Sequence, residues 1–166
     1  MLRRLLVAAL AAAVVIVISV PGTAGAAAVR EVCVMQIEPW FSPRLGPLPK
    51  PISSGFVGRF AWCQGTSNVK EGYTNAYGYG TGSCAAIKTT ATGDVQWTTT
   101  RQYSEFSLTI TGNAIVLRVV GRFTSGLFRG LTLKADLGFV PTSSAACLLP
   151  RGLRLADVRG LATIGI

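Results

Sequence analysis

The residue types that carry acid–base or nucleophilic chemistry are few in this chain. The sequence has no histidine, which excludes the Ser-His-Asp and Cys-His arrangements, because these need an imidazole to carry the proton. Without histidine the usual zinc-binding constellations are absent as well. The sequence therefore predicts neither a metal or other cofactor nor an imidazole-dependent hydrolase.

The acidic residues are isolated from one another along the sequence. Glycoside hydrolysis needs two carboxyl groups held a few ångströms apart, and here such a pair would have to assemble in space. Calcium loops of the D-x-D-x-D type are missing. We expect a protein without catalytic activity, with a hydrolase only as a third hypothesis. The seven acidic residues are Glu31, Glu38, Glu71, Asp94, Glu105, Asp136 and Asp157.

Four cysteines, Cys33, Cys63, Cys84 and Cys147, are the remaining reactive side chains. No two of them form a C-x-x-C redox motif. An even number of cysteines in an exported domain predicts two disulfides. Their spacing leaves all three pairings open.

The first 28 residues have the pattern of a secretory signal peptide. Arg3 and Arg4 precede an apolar run from Leu5 to Val20, and small residues follow. We expect a signal-peptide helix that is cleaved after Ala26 or Ala28. The apolar run is short for a membrane span, which needs about 20 residues, so an uncleaved anchor is the less favoured alternative. The prediction is a secreted, extracellular protein with no spanning segment after processing.

Positive charge is in excess in the chain that remains. Removing Arg3 and Arg4 from 16 Lys and Arg leaves 14 against 7 Asp and Glu, so the net charge is 14 − 7 = +7. A basic surface attracts polyanions such as an anionic cell-wall polymer. The positive residues are dispersed singly, so we expect no specific nucleic-acid recognition.

Residues 29–166 read as one all-β domain. Period-two alternation, β-branched residues and glycine turns predict about eight short strands in an antiparallel β-sandwich, immunoglobulin-like or related. The proline-rich stretch from Pro39 to Pro51 is predicted to be an extended connection or a sheet edge. Alternation places Phe106, Leu108 and Ile110 inside and Arg118 and Arg122 outside.

A tetrapeptide, VGRF, occurs at Val57–Phe60 and again at Val120–Phe123. Because the flanking sequences do not align, we interpret the two copies as similar solutions to strand packing rather than as an internal repeat. In each copy the glycine shares a face with the phenylalanine and leaves room for its ring or for a close backbone. The first copy leads into Trp62-Cys63, which we expect to enter the core.

Several short motifs occur in an order that resembles small secreted actinobacterial proteins of unknown function. The motifs are Cys33, the F-S-P-x-L segment at Phe41–Leu45, Cys63, the Gly78-Tyr79-Gly80 segment running to Cys84, Thr92-Gly93 to Trp97, the stretch Gly121–Gly130, Cys147 and Gly160–Ile166. The resemblance implies an exported, disulfide-bonded β-sandwich, and it supplies no catalytic residues. Arg101-Gln102-Tyr103 departs from the glycine- and serine-rich turn of that group.

Two candidate binding surfaces emerge from the strand pattern. Tyr73, Tyr77 and Tyr79 lie on one face and are able to stack on sugars or bases, unless they pack within the sheet. The turn "TSGLFRG" gathers Leu127 and Phe128 beside two arginines, Arg122 and Arg129. Such a turn can dock on an anionic polymer or a membrane surface, unless it folds back under the sheet.

We therefore expect a secreted, non-catalytic module that binds the cell envelope or another extracellular macromolecule. The alternative is an inhibitor of an extracellular enzyme such as a protease, acting through a disulfide-stiffened loop.

Overall fold

A computed structural model describes residues 29–140, 145–147 and 149–165. The signal peptide predicted for residues 1–28 lies outside the described residues. The described residues form nine strands: β1 Val29–Leu45, β2 Lys50–Gly65, β3 Gly72–Gly82, β4 Ile87–Trp97, β5 Gln102–Gly112, β6 Val116–Phe123, β7 Thr132–Phe139, β8 Leu153–Leu155 and β9 Val158–Gly165.

The strands form one closed sheet. Each strand from β1 to β6 pairs antiparallel with the next along the chain. β7 then pairs with β9, and β9 pairs with β1. Since β1 contacts both β2 and β9, the sheet closes into an eight-stranded antiparallel barrel, and the short β8 pairs with β1 beyond the end of β9.

The prediction of an all-β protein is confirmed, whereas the prediction of a β-sandwich is wrong. Alternation shows which face of a strand is buried, and a sandwich and a barrel share that pattern. The difference lies in β1, whose residues Val29–Ile37 pair with β9 on one side while β2 pairs on the other. The pairing with β9 closes the sheet, and β1 also continues into the predicted proline-rich stretch as far as Leu45.

Apolar side chains fill the barrel. The inward positions Phe106, Leu108 and Ile110 are buried as predicted, and Arg118 and Arg122 face outward. A cavity between β1, β2, β4, β5 and β6 has a volume of about 10 Å³, at the lower limit for a single water molecule. Ligands larger than that must bind on the outer wall or at an end.

The barrel has two ends, named here by their connections. The upper end carries the connections 46–49, 83–86 and 113–115 and the segment between β7 and β8, and the lower end carries 66–71, 98–101 and 124–131. Cys84 bonds Cys147 at the upper end. Cys33 bonds Cys63 between β1 and β2 near the lower end. The prediction of two disulfides is confirmed. Of the three possible pairings, the structure has Cys33–Cys63 and Cys84–Cys147.

Both VGRF copies are strand segments with the predicted alternation. Phe60 and Phe123 are buried, while the valine and arginine of each copy face outward. A Cβ on Gly58 would lie 2.2 Å from the Gln36 carbonyl oxygen of the paired strand. The glycine is needed because the neighbouring backbone approaches so closely.

Candidate functional site

An aromatic cluster covers part of the outer wall. The rings of Tyr77 and Tyr79 on β3 meet edge to face with their centroids 4.9 Å apart, and Trp40 on β1 lies 5.6 Å from Tyr77. Both tyrosines are exposed. The predicted placement of Tyr77 and Tyr79 on one outer face is confirmed, and Trp40 adds a ring that the sequence interpretation did not include.

Gly55 on the intervening strand β2 makes this cluster possible. It lies directly opposite Trp40 on one side and Tyr77 on the other. A Cβ at Gly55 would lie 2.7 Å from the Trp40 ring. With no side chain there, the indole extends across β2 and reaches the tyrosine.

The tyrosine hydroxyl groups are linked to one another. Hydrogen bonds from the Tyr79 and Ser53 side chains hold the pKa of Tyr77 below its ordinary value. The same bond raises the pKa of Tyr79, which donates it. Tyr77 is therefore expected to lose its proton before Tyr79.

A change of Tyr79 to phenylalanine tests this link. We expect Tyr79→Phe to raise the pKa of Tyr77 toward the ordinary tyrosine value of about 10, because the tyrosinate loses a donor. The measurement is an alkaline titration followed by NMR of ring-labelled tyrosine. Tyr73→Phe is the control and leaves the Tyr77 titration unchanged; an equal shift in both variants would contradict the assignment.

A groove of about 450 Å³ runs beside the cluster across β3, β4 and β5. Tyr77 and Tyr103 contribute rings to its walls, and Asp94 and Glu105 contribute carboxylates. We call it the tyrosine groove. Its other lining residues are Asn75, Thr92, Gly93, Phe106, Ser107 and Thr124.

The carboxylates of the tyrosine groove are neighbours. Asp94 on β4 lies directly opposite Glu105 on β5, which places their Cβ atoms about 5 Å apart. The Ser125 hydroxyl donates to Glu105 at 2.9 Å. Partial burial and then the negative charges of Asp94 and Glu105 raise the pKa of Tyr103, so its hydroxyl remains a hydrogen-bond donor well above neutral pH.

One arginine of the second predicted surface lies beside this groove. Arg122 on β6 is opposite Ser107, which is opposite Thr92, which is opposite Tyr77. The four residues thus form one cross-strand row on the outer wall. The Arg122 guanidinium donates to the Gly130 carbonyl at 3.0 Å, which holds the side chain over the lower-end connection 124–131.

The rest of the predicted "TSGLFRG" surface does not form. Phe128 is only 2% exposed, with its ring 5.1 Å from Trp97 and 5.6 Å from Phe123. Leu127 is half-buried against the core, and Arg129 is exposed. The turn folds inward and caps the lower end, so of the two alternatives the one in which it folds back under the sheet is confirmed, and Phe128 is not part of a binding surface.

Tyr73 belongs to a different groove. This groove has a volume of about 520 Å³ and is also lined by Arg59, Arg159, Glu38 and Asp157. The Arg59 guanidinium donates to the Gln36 side chain at 3.0 Å. Because Tyr73 is four residues from Tyr77 along an extended strand, about 13 Å away, the predicted tyrosine row is divided between two grooves.

Trp62 is a second exception to the predicted pattern. It is 69% exposed and has a φ of 50°, at a β-bulge where the β1–β2 register shifts next to Cys63. The bulge turns Cys63 inward to its disulfide and turns Trp62 outward. The expectation that Trp62 enters the core is therefore wrong, whereas Cys63 is buried as expected.

An S-x-x-K spacing, Ser67 to Lys70, lies in the lower-end connection 66–71. The Ser67 hydroxyl accepts a 3.4 Å hydrogen bond from the Val69 N–H. None of the grooves described above includes Ser67. The arrangement is that of a local turn.

No group of three or more metal-binding side chains is present in the described ranges. Within the same ranges, no helix is long and apolar enough to cross a membrane. Comparison of the chain with protein-family models, with curated proteins and with solved structures finds no match.

Proposed function

We propose that the protein is a secreted, non-catalytic binding module that recognises a hydroxyl-rich glycan of the cell envelope through the tyrosine groove. One observation carries this proposal. Tyr77 and Tyr103 present exposed rings in a groove that also contains the carboxylates of Asp94 and Glu105, on a barrel whose interior is filled.

The chemistry of the groove fits a sugar. Aromatic faces pack against the C–H faces of sugar rings, and a tyrosine keeps a polar tip for hydrogen bonding. Carboxylates accept hydrogen bonds from hydroxyl groups, and Asn75, Thr92 and Ser107 add both donors and acceptors. Two carboxylates repel a phosphate or sulfate group, so the groove favours the neutral units of a polymer, while Arg122 favours any anionic substituent beside it.

Binding explains the carboxylate pair better than hydrolysis does. A glycosidase needs one carboxyl group that keeps its proton in a site shielded from water. Glu105 is exposed and Asp94 is half-exposed on an open sheet face. We therefore assign both carboxylates to hydrogen bonding with ligand hydroxyls.

We favour the binding module over the protease-inhibitor alternative, because neither disulfide joins the two ends of a single connection. An inhibitor of that type presents a stiffened, protruding loop. Here one disulfide, Cys33–Cys63, joins two adjacent strands of the wall, and the other ties the connection 83–86 to the segment at 145–147. Two disulfides are consistent with an extracellular location, as is the predicted signal sequence.

Affinity electrophoresis through gels that contain soluble neutral polysaccharides tests the proposal, together with co-sedimentation with cell-wall glycan stripped of anionic polymers. We expect Tyr77→Ala and Tyr103→Ala each to weaken binding about tenfold, since one ring contact contributes about 1.4 kcal/mol. Tyr73→Ala is the matched control, because this exposed tyrosine lies outside the groove, and it should bind like the unaltered protein.

Two results would contradict the proposal. One is no retention on any neutral glycan, and the other is an equal loss of binding in the Tyr73 variant. Release of reducing sugar from the bound glycan, abolished by Asp94→Asn or Glu105→Gln, would replace the binding assignment with a hydrolytic one.

A further inference from the structure

The upper end of the barrel contains a cleft whose charged side chains are all positive. The cleft has a volume of about 580 Å³, and its charged lining residues are Arg44, Lys50 and Arg151. No acidic residue lines it. We call it the basic cleft. It shares no lining residue with the tyrosine groove.

Strand pairing brings the cations of the basic cleft together. Leu45 at the end of β1 pairs antiparallel with Leu153 of β8, which brings the segment that contains Arg151 alongside the end of β1 at the upper end. The Arg44 guanidinium is 3.5 Å from the Arg151 carbonyl oxygen. Gly152 has a φ of +67°, and a Cβ there would lie 2.2 Å from the Leu45 carbonyl oxygen, so only glycine allows this close approach.

The connection 46–49 and the disulfide fix the other side of the cleft. Lys50 begins β2 directly after Gly46-Pro47-Leu48-Pro49. The Cys84 N–H donates to the Gly46 carbonyl at 2.8 Å. Cys84 is in turn bonded to Cys147, which itself lines the cleft. The three cations therefore project from covalently and sterically restrained backbone.

The residues that line the basic cleft supply no carboxylate to neutralise its charge. The ion pairs Arg59–Glu71 and Arg118–Asp136 lie elsewhere in the described part of the chain. None of the seven acidic residues lies in the connections 46–49, 83–86 and 113–115 or between positions 141 and 156. Like charges lining one cleft focus a positive potential, and guanidinium and ammonium groups are the usual partners of phosphate oxygens.

Aliphatic side chains stand beside these cations. Leu48 is 76% exposed and Leu149 is 61% exposed, one on each of the two segments that form the cleft. Arg154 and Leu155 of β8 are also exposed. Exposed leucines among cations are typical of surfaces that bind the headgroup region of an anionic membrane. Single-stranded nucleic acid is usually bound with aromatic stacking partners, and the lining of the cleft contains none.

We propose that the upper end docks on an anionic phospholipid surface, with lipid phosphate groups in the basic cleft and Leu48 and Leu149 inserted among the headgroups. This proposal is independent of glycan binding. It assigns the outer wall and the upper end to different ligands.

The experiment is flotation of the protein with vesicles of phosphatidylcholine alone and with vesicles that also contain phosphatidylglycerol. We expect binding to the anionic vesicles, weakened by salt, and little to the zwitterionic ones. Since each cation near the surface contributes about fivefold, the triple variant Arg44→Gln, Lys50→Gln, Arg151→Gln should bind on the order of 100-fold more weakly. Leu48→Ser with Leu149→Ser should also weaken binding.

The matched control removes the same net charge elsewhere. Lys70→Gln, Arg101→Gln and Lys134→Gln together should retain binding to within about fivefold, and circular dichroism verifies that every variant is folded. Equal loss in both triple variants, or no binding to anionic vesicles, would overturn the proposal. Saturation of the cleft by millimolar inorganic phosphate without any vesicle binding would assign it to a soluble phosphate ligand instead.

A second comparison separates this proposal from the glycan proposal. Tyr77→Ala should leave vesicle binding unchanged, and the basic-cleft triple variant should leave binding to neutral glycan unchanged. Failure of one proposal is thereby distinguishable from failure of the other.

Discussion

Phe128→Ala is expected to lower the free energy of unfolding by about 3–5 kcal/mol, the usual cost of removing a buried phenylalanine side chain. The ring lies between Trp97 and Phe123 at the lower end, where Phe60 also contacts Trp97. Removing it leaves a cavity among aromatic rings that are held by strands on several sides and cannot collapse into the space. Denaturant unfolding of the disulfide-intact protein gives the difference.

Arg129→Ala is the control for this prediction. Its side chain is exposed in the same connection, so the free energy of unfolding should change by less than about 0.5 kcal/mol. A loss below about 1 kcal/mol in Phe128→Ala would contradict the burial of the ring. It would return the "TSGLFRG" turn to consideration as a contact surface.

Cys84→Ala with Cys147→Ala is expected to have an effect of similar size. The two cysteines are 63 residues apart, and the chain-entropy relation for a loop of that length gives about 4 kcal/mol of lost stability. Most single domains are stable by about 5–15 kcal/mol, so the variant should unfold at a clearly lower denaturant concentration. An unchanged midpoint would contradict the prediction.

Loss of this disulfide should also loosen the upper end selectively. The segment between β7 and β8 contains Cys147 and leads to Arg151, so limited proteolysis should cut it faster in the double variant than in the unaltered protein. Cys33→Ala with Cys63→Ala is the matched control, because that bond joins two strands near the lower end. It should lose stability without gaining cleavage between β7 and β8.

The alternation of side chains predicted the strands and their faces but not the closure of the sheet. The burial of Leu108 and the exposure of Arg122 follow from a period of two, which is local. By contrast, the β1–β9 pairing, which places Cys33 opposite Ala162 across the two strands, joins segments that are far apart in sequence. No local pattern signals it. The prolines also made the predicted end of β1 too early. Pro39 lies inside the strand, and its carbonyl oxygen accepts a hydrogen bond from the Ala156 N–H.

The candidate site was predictable only in part for the same reason. Tyr77 and Tyr79 follow from strand alternation, and the same rule places Tyr103 with Glu105 and Ser107 on an outer row of β5. What the sequence does not contain is the register that sets Asp94 opposite Glu105. The sequence left open whether Phe128 is exposed or buried, because a turn rich in glycine and arginine fits either, and only the fold shows the ring turned inward.

Barrel closure also sets the order in which strands pair when the chain emerges from residue 29 toward its later strands. β1 can pair with β2 at once, and Cys33 and Cys63 are then only 30 residues apart. The other edge of β1 must wait for β9, which is the last strand described. Until it arrives the sheet has two open edges, which are sites for pairing with other chains. Cys84 must likewise wait for Cys147, so oxidation is expected to proceed from the wall to the upper end.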